Sequence, residues 1–496
     1  MSGADLPASV DAPPARKNGS PPPDDDGELG PIARAAMAFT AWAERWIPDA
    51  FVFALAATAL VCVAAMTLTK TPPFEVVKLW GDGFWKLLSF TLQMAMVIIT
   101  GYVVATTRPV YRLIAGLASV PRSPRNAVAM VALFAMLSSW LNWGFSLIFS
   151  AMLAKEVARK LPRVDYRALA ASSFLGLGTV WAQGLSGSAA LQMATASALP
   201  AKIREIVAGP SQVVAGGIIP LRHTIFLWQS FASVAVELVL VSLLVYAMVP
   251  VGARARTAAD MGIELGVSPL ERPDPERKGT PGEWLEHSPV LNVLVVLLAG
   301  TYLVRYFVTA EERLSAITLD TINLTFLTLG VALHFTPARL MRAVKEATPG
   351  VWGVILQFPF YAGIAAIIAG TQLNERIAHF FVSVSTPLTF PPLIAVYSAL
   401  LGVFVPSGGS KWIIEAPYVM QAAHDLRVHL GWMVAVYDLG EALANLVQPF
   451  WMLPILGLFG LRARDVMGYT FLVCLVLFPI VLVMVTVFGS TLRYPL

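Results

Sequence analysis

Residues 406–417 read Pro-Ser-Gly-Gly-Ser-Lys-Trp-Ile-Ile-Glu-Ala-Pro, which sets a lysine and a glutamate four apart behind a glycine pair, between long apolar runs. A chain bathed in lipid places Pro, Gly and charge together where backbone lines a polar cavity. A lysine at mid-bilayer costs about 2.5–3.5 kcal/mol on insertion scales, so Lys411 needs a counter-charge, water or a ligand. Recognition of an anion is the chemistry this group offers. An internal ion pair with Glu415, one turn on, is the competing reading.

Three other polar interruptions share this character. They are Ser138-Ser139-Trp140-Leu141-Asn142-Trp143-Gly144, Gln183-Gly184-Leu185-Ser186-Gly187-Ser188, and a stripe of Asp438, Glu441, Asn445 and Gln448 ending at Pro449. Small residues let backbone approach a ligand, unwound carbonyls bind cations, and free N–H groups at half-helix starts favour a carboxylate. The candidate substrate-binding residues are therefore Ser139, Asn142, Gly184, Ser186, Gly187, Ser188, Ser407, Gly408, Gly409, Ser410, Lys411 and Asn445, with Asp438, Glu441 and Glu415 as candidate ion-coupling groups. The implied substrate is a small anion. A single cationic side chain favours a monoanion, although backbone N–H groups would serve the second carboxylate of a dicarboxylate.

Each break also has a plainer reading. Gly184 to Ser188 would serve close helix packing equally well. Trp140 and Trp143 fit interface anchors, and His223 and His334 lie at span ends. Asp438 would also suit a water-facing position, and Glu237, inside an apolar run, has no assignable role. Cys62 and Cys474 sit in apolar spans and read as packing residues.

The elements that must position these breaks are membrane helices. Hydrophobic residues make up 57% of the 496 and charged residues only 13%, well beyond a soluble domain. Runs at 50–69, 87–107, 224–249, 288–304 and 466–488 are long enough to span as helix, and no ten-residue alternation suggests a barrel. The formal charge of +4 is spread over loops and points to no nucleic acid. Arg108, Arg112, Arg122 and Arg125 precede 126–150, and Lys155, Arg159, Lys160, Arg163 and Arg167 follow it. The positive-inside rule then prefers a hairpin that dips in and returns, both there and at 387–423.

With hairpins at those places the order of segments recurs. The expected fold is an all-α polytopic membrane protein of two inverted repeats, each with a re-entrant hairpin and a broken transmembrane helix, about nine full spans plus two hairpins. The first repeat occupies 35–249, with spans near 50–69 and 87–107, an amphipathic piece near 110–118, the hairpin, a broken segment at 168–200 and a span at 224–249. The second occupies 318–496, with spans at 318–335 and 351–371, an amphipathic piece near 373–384, the hairpin, a broken segment at 431–459 and a span at 466–488. A connecting span lies within 288–317. Residues 1–34 read as a disordered tail and 250–287 as a cytoplasmic linker. Such repeats hold substrate at mid-membrane between discontinuous helices.

Enzymatic and nucleotide-driven readings find no support. Gly408-Gly409-Ser410-Lys411 differs from a phosphate-binding loop at Ser410 and Trp412, and no zinc-protease helix or nucleophile elbow occurs. No metal and no cofactor is expected, only a coupling ion, H+ or Na+. A sensor would need an output domain that the chain does not show. A channel would use the same broken helices but lack saturable, gradient-coupled flux.

Val405-Pro406-Ser407-Gly408-Gly409-Ser410-Lys411-Trp412 with Glu415-Ala416-Pro417 resembles the signature of the bacterial short-chain fatty acid uptake family. Ser139 to Gly144, Ala154-Lys155-Glu156, Asp165-Tyr166-Arg167 and Gly184 to Ser188 resemble its first-half motifs, so the likeness runs from about 35 to 490. The resemblance implies ion-coupled uptake of short monocarboxylates such as acetoacetate or butyrate across a bacterial inner membrane, and a homodimer by analogy. The count of basic residues by loop puts the N-terminus in the cytoplasm, and an elevator or rocking motion would turn the site to each side. Related sodium-coupled dicarboxylate carriers have Ser-Asn-Thr at their tips. Here the tips hold Ser138, Ser139 and Asn142, and Ser407 and Ser410, without Thr.

Overall fold

The computed structural model describes residues 50–86, 88–194, 201–209, 212–268, 270–271, 279–310, 319–373, 376, 383–404, 406 and 408–496, with 31, 34, 35, 38, 42 and 45. Most of the expected tail, most of the piece at 373–384, Arg272, Arg277 and Lys278 of the linker, and Ser407 lie outside them. All regular structure among the described residues is helical.

The first half runs α1 (Ala50–Leu68), α2 (Pro73–Gly83), α3 (Leu88–Ala105), α4 (Arg108–Leu117), α5 (Pro124–Leu141), α6 (Trp143–Lys160), α7 (Tyr166–Gly178), a 3-10 turn (Val180–Gln183), α8 (Ser188–Ala194), α9 (Ala201–Ala208) and α10 (Trp228–Met248). Short α11 (Pro281–His287) and apolar α12 (Val290–Thr309) connect the halves. The second half repeats the order with α13 (Leu319–His334), α14 (Pro337–Ala347), α15 (Trp352–Gly370), α16 (Phe390–Phe404), α17 (Gly408–Asp425), α18 (Leu430–Asn445), α19 (Leu453–Phe459) and α20 (Ala463–Gly489). Counting each broken helix once, α1, α3, α7–α8, α10, α12, α13, α15, α18–α19 and α20 are nine apolar segments among the described residues, with hairpins α5–α6 and α16–α17 beside them. Helices α10, α12 and α20 are long and apolar enough to cross a bilayer by themselves.

Two details depart from expectation. Helices α2 and α14 stand between the first two spans of each half, where the sequence suggested only loops; Pro73 and Pro337 start them, as proline does at a first turn. The second hairpin does not turn over Ser407 to Lys411. Helix α17 already begins at Gly408, so Lys411 lies in its first turn. Two glycines lower helix propensity without forbidding helix, and burial of Lys411 and Trp412 outweighs that cost.

Packing follows the repeat. Helix α5 lies against α7 and α10, and α16 lies against α18 and α20 in the same relation. The hairpins, broken helices, α10 and α20 thus form one body. Helix α15 packs on α1, α2 and α3, while α13 lies against α3 and α12 against α13. Of α12 only Asn292 and Leu303 are buried, so its remaining apolar surface is available to lipid.

Candidate functional site

Both broken helices are interrupted for identifiable reasons. Helix α7 ends at Gly178, where a Cβ would overlap Leu446 of the other broken helix. Helix α18 ends at Asn445, whose Nδ2 donates to the carbonyl of Leu177 at 2.9 Å. Gln448 completes the second break, donating to Asn445 Oδ1 at 2.8 Å and accepting from the Phe450 N–H at 2.7 Å. Beyond it the chain bends by 69° into the 3-10 turn Phe450–Met452 and α19. Helix-end groups left without intrahelical partners are thereby satisfied across the two repeats.

The first hairpin tip is bound to the first break. Asn142 caps α6 by accepting from the Phe145 N–H at 2.9 Å, and the Trp143 N–H donates to Ser186 Oγ at 3.0 Å. Leu185 N–H donates to the Trp140 carbonyl at 2.8 Å. Gly184 lies so close to that carbonyl that any Cβ would overlap it, and Gly187 stands likewise over Ala182. Close backbone approach accounts for both glycines. Ser139 is buried with its Oγ unpartnered.

Around the second hairpin tip the charged candidates converge. Lys411, Glu415 and Glu441 are each 0% exposed. Lys411 Nζ is 2.7 Å from Glu441 Oε2 on α18 and 3.1 Å from Glu415 Oε1 on its own helix. Its third contact is a 2.9 Å hydrogen bond to the Ser398 carbonyl on α16. An ammonium has three N–H groups, so all are engaged. Ser398 Oγ in turn donates to Glu415 Oε2 at 2.9 Å. The Tyr437 ring lies 4.3 Å from Lys411 Nζ, and its hydroxyl donates to the Gly408 carbonyl at 2.6 Å.

The first break reaches the same place. Gln192 Nε2 donates to the Gly409 carbonyl at 3.2 Å, and Ser188 borders Gly409. A Cβ at Gly408 would come within 2.9 Å of the Trp181 ring, whose Nε1 is buried without a partner. Asp438, buried one turn before Glu441, has Oδ2 unpartnered. Gly408, Gly409, Lys411, Glu415, Glu441 and Ser188 are thus one cluster, whereas Ser139, Asn142, Gly184 and Ser186 gather at the first tip. Ser407 and the Ser410 side chain lie outside the described residues.

Sequence reasoning missed Ser398, Tyr437, Gln192 and Trp181. Helical spacing gave partial signals: Tyr437 precedes Glu441 by four, and Gln192 follows Ser188 by four. The Lys155–Glu156 and Asp165-Tyr166-Arg167 motifs lie away from this cluster. Lys155 Nζ donates to the Leu458 carbonyl at 2.9 Å, and Asp165 caps α7 at Ala168 while accepting the Arg256 N–H at 3.0 Å. Arg159 Nη2 donates to the Leu265 carbonyl at 2.6 Å, so part of the expected linker is a strap tied to this body.

Chemically, the second tip holds one cation against two carboxylates, buried, at the meeting of a hairpin and two interrupted helices. Residues 31–488 match the short chain fatty acid transporter family. A provisionally assigned short-chain fatty acid transporter of Escherichia coli (strain K12) is 37% identical over 439 residues, covering 88% of this chain and 96% of the relative. Its provisionally assigned counterpart in Haemophilus influenzae (strain ATCC 51907 / DSM 11121 / KW20 / Rd) is 34% identical over 445 residues, with the same coverages of 88% and 96%. Among solved structures, the Alcanivorax borkumensis YdaH transporter aligns with 92% of this chain and 98% of its own at 16% identity, with a TM-score of 0.43.

Proposed function

The chain belongs to the short-chain fatty acid transporter family, and on that premise we propose that it carries small monocarboxylates of the butyrate and acetoacetate type by proton symport, with Lys411 as the carboxylate receptor. The observation that carries this reading is the partner set of Lys411: two buried carboxylates and one carbonyl.

Counted as ionised, Lys411, Glu415 and Glu441 sum to one negative charge. Adding a carboxylate substrate would make two in a buried site, and an uncompensated buried charge costs several kcal/mol. A proton arriving with the substrate removes that cost. Glu441 is the fitting acceptor, because it reaches Lys411 from α18 while Glu415 and Ser398 belong to the hairpin. Once protonated, Glu441 releases one ammonium N–H, and the substrate carboxylate takes its place. Proton and substrate then occupy the site together or not at all, which is the requirement of a symporter.

Because Lys411 is fully buried, substrate enters only when the hairpin tip moves from the breaks. Among the described residues the polar contacts to be undone include the Lys411–Glu441 pair, Tyr437 on the Gly408 carbonyl and Gln192 on the Gly409 carbonyl. The rings of Trp181 and Trp412 offer apolar wall for a short alkyl tail, which favours monocarboxylates over dicarboxylates. We place the chain in a bacterial inner membrane with its N-terminus cytoplasmic, supported by the basic loops flanking the first hairpin.

The test is uptake of radiolabelled butyrate into proteoliposomes under proton and sodium gradients imposed separately. Saturable uptake driven by the proton gradient is expected. Uptake driven by sodium alone would overturn the coupling, and none under either gradient would overturn the substrate.

A further inference from the structure

We infer that Glu237 is a second proton-binding site of the carrier, holding its proton while the first break is closed against α10 and releasing it when that break opens to water. The inference rests on the proton-coupled reading above but on a carboxylate outside the Lys411 cluster.

Helix α10 turns Ser230, Ser233, Val234, Glu237, Val241 and Leu244 inward, at three- and four-residue spacing. Glu237 is 1% exposed. Among the described residues its polar partner is Gln183, whose Nε2 donates to Glu237 Oε2 at 2.9 Å. Among the described residues no cation pairs with it. Helix α5 brings only Arg125, which lies over the Tyr246 ring, about two and a half turns from Glu237. Helix α20 brings Arg464, Asp465, Tyr469 and Cys474; Asp465 accepts from the Arg462 N–H and Tyr469 donates to Asp165. The turn Val180–Gln183 carries no titratable group. A carboxylate with one amide donor and no cation, inside a membrane body, is carried as the neutral acid. The proton sits on Oε1 while Oε2 accepts from Gln183.

Placement makes this more than buried polar glue. Gln183 belongs to the turn that holds Trp181 against Gly408, and two residues further on Leu185 binds the Trp140 carbonyl. Both hairpin tips therefore touch the segment whose position decides whether Glu237 is dry. Water admitted by a shift of that segment solvates the carboxylate, and the proton leaves to the side then open.

The experiment compares wild type with Glu237→Gln and Glu237→Asp. Glutamine keeps the shape and a hydrogen bond to Gln183 but cannot titrate, so the ratio of proton-driven butyrate uptake to butyrate counterflow should fall about tenfold or more, within the usual size of such couplings. Aspartate should restore part of the ratio. Equal ratios in wild type and Glu237→Gln would overturn the proposal. Infrared spectra give a readout free of transport: a buried carboxylic-acid C=O band present in wild type, missing in Glu237→Gln, and shifted in Gln183→Leu. Absence of that band from wild type would also overturn it. Should wild type show no butyrate counterflow, the monocarboxylate reading fails, and the band alone decides the proton site.

Discussion

Replacing Glu441 by glutamine should uncouple butyrate binding from pH. At 2.7 Å the Lys411–Glu441 attraction is about 6 kcal/mol at an effective dielectric of about 20. Desolvation offsets much of that gross figure. What remains still opposes any substrate carboxylate competing for the same N–H. If substrate binds only after Glu441 takes a proton, one proton accompanies each substrate. Affinity is then greatest in acid and falls about tenfold per pH unit once Glu441 is ionised. In Glu441→Gln the competing charge is gone, so affinity should stay at its acid value as pH rises. The variant should fold, since Lys411 keeps Glu415 at 3.1 Å and the pair is neutral. Equilibrium binding of radiolabelled butyrate to purified protein across a pH series reads this directly. A flat wild-type profile, or the same slope in both proteins, would refute the exchange of partners.

Three further outcomes follow from the contacts. Lys411→Ala should abolish saturable uptake and lower stability by about 3–5 kcal/mol, because Glu415 and Glu441 lose their cation; Lys411→Ala with Glu441→Gln should regain part of the melting temperature but no uptake, and normal kinetics in the single variant would count against its role. Gly184→Ala forces a Cβ into the Trp140 carbonyl and should cost about 1–3 kcal/mol, read as a lower melting temperature; an unchanged one would show that the tip and break are not in close contact. Asp165→Ala removes the α7 cap, the 3.0 Å ion-pair contact to Arg167 and the anchor of Arg256, costing about 3–5 kcal/mol and speeding tryptic cleavage at Arg254 and Arg256, whereas wild-type cleavage rates would leave the strap unanchored by Asp165.

Much of the architecture was legible because lipid imposes strict rules. Apolar length marked the spans, and basic residues on both sides of 126–150 marked a segment that returns. The same order of hairpin, broken helix and final span in both halves then followed from the pattern alone. Helices α2 and α14 were not legible, since an amphipathic helix of eleven residues carries too little apolar length to stand out. The helical start at Gly408 was not legible because glycine signals weak helix propensity, whereas burial around Lys411 decides the outcome. At the site, Lys411, Glu415 and Glu441 announced themselves as charges in apolar sequence. Ser398 did not, because its function is to meet Lys411 with a backbone carbonyl, which every residue possesses. Tyr437 and Trp181 were hidden for a similar reason: aromatic residues in membrane helices usually pack, and only the fold brings them over Gly408. Gly184 and Gly187 illustrate the converse, since the sequence offered them as ligand-facing and the backbone contacts show what requires them.

The most direct test of the partner exchange at Lys411 is a structure of the protein in nanodiscs with butyrate at acidic pH. The butyrate carboxylate is expected within hydrogen-bond distance of Lys411 Nζ, with Glu415 still paired and Glu441 withdrawn from its present 2.7 Å contact. Butyrate bound elsewhere, with Lys411 still held by both glutamates, would contradict it.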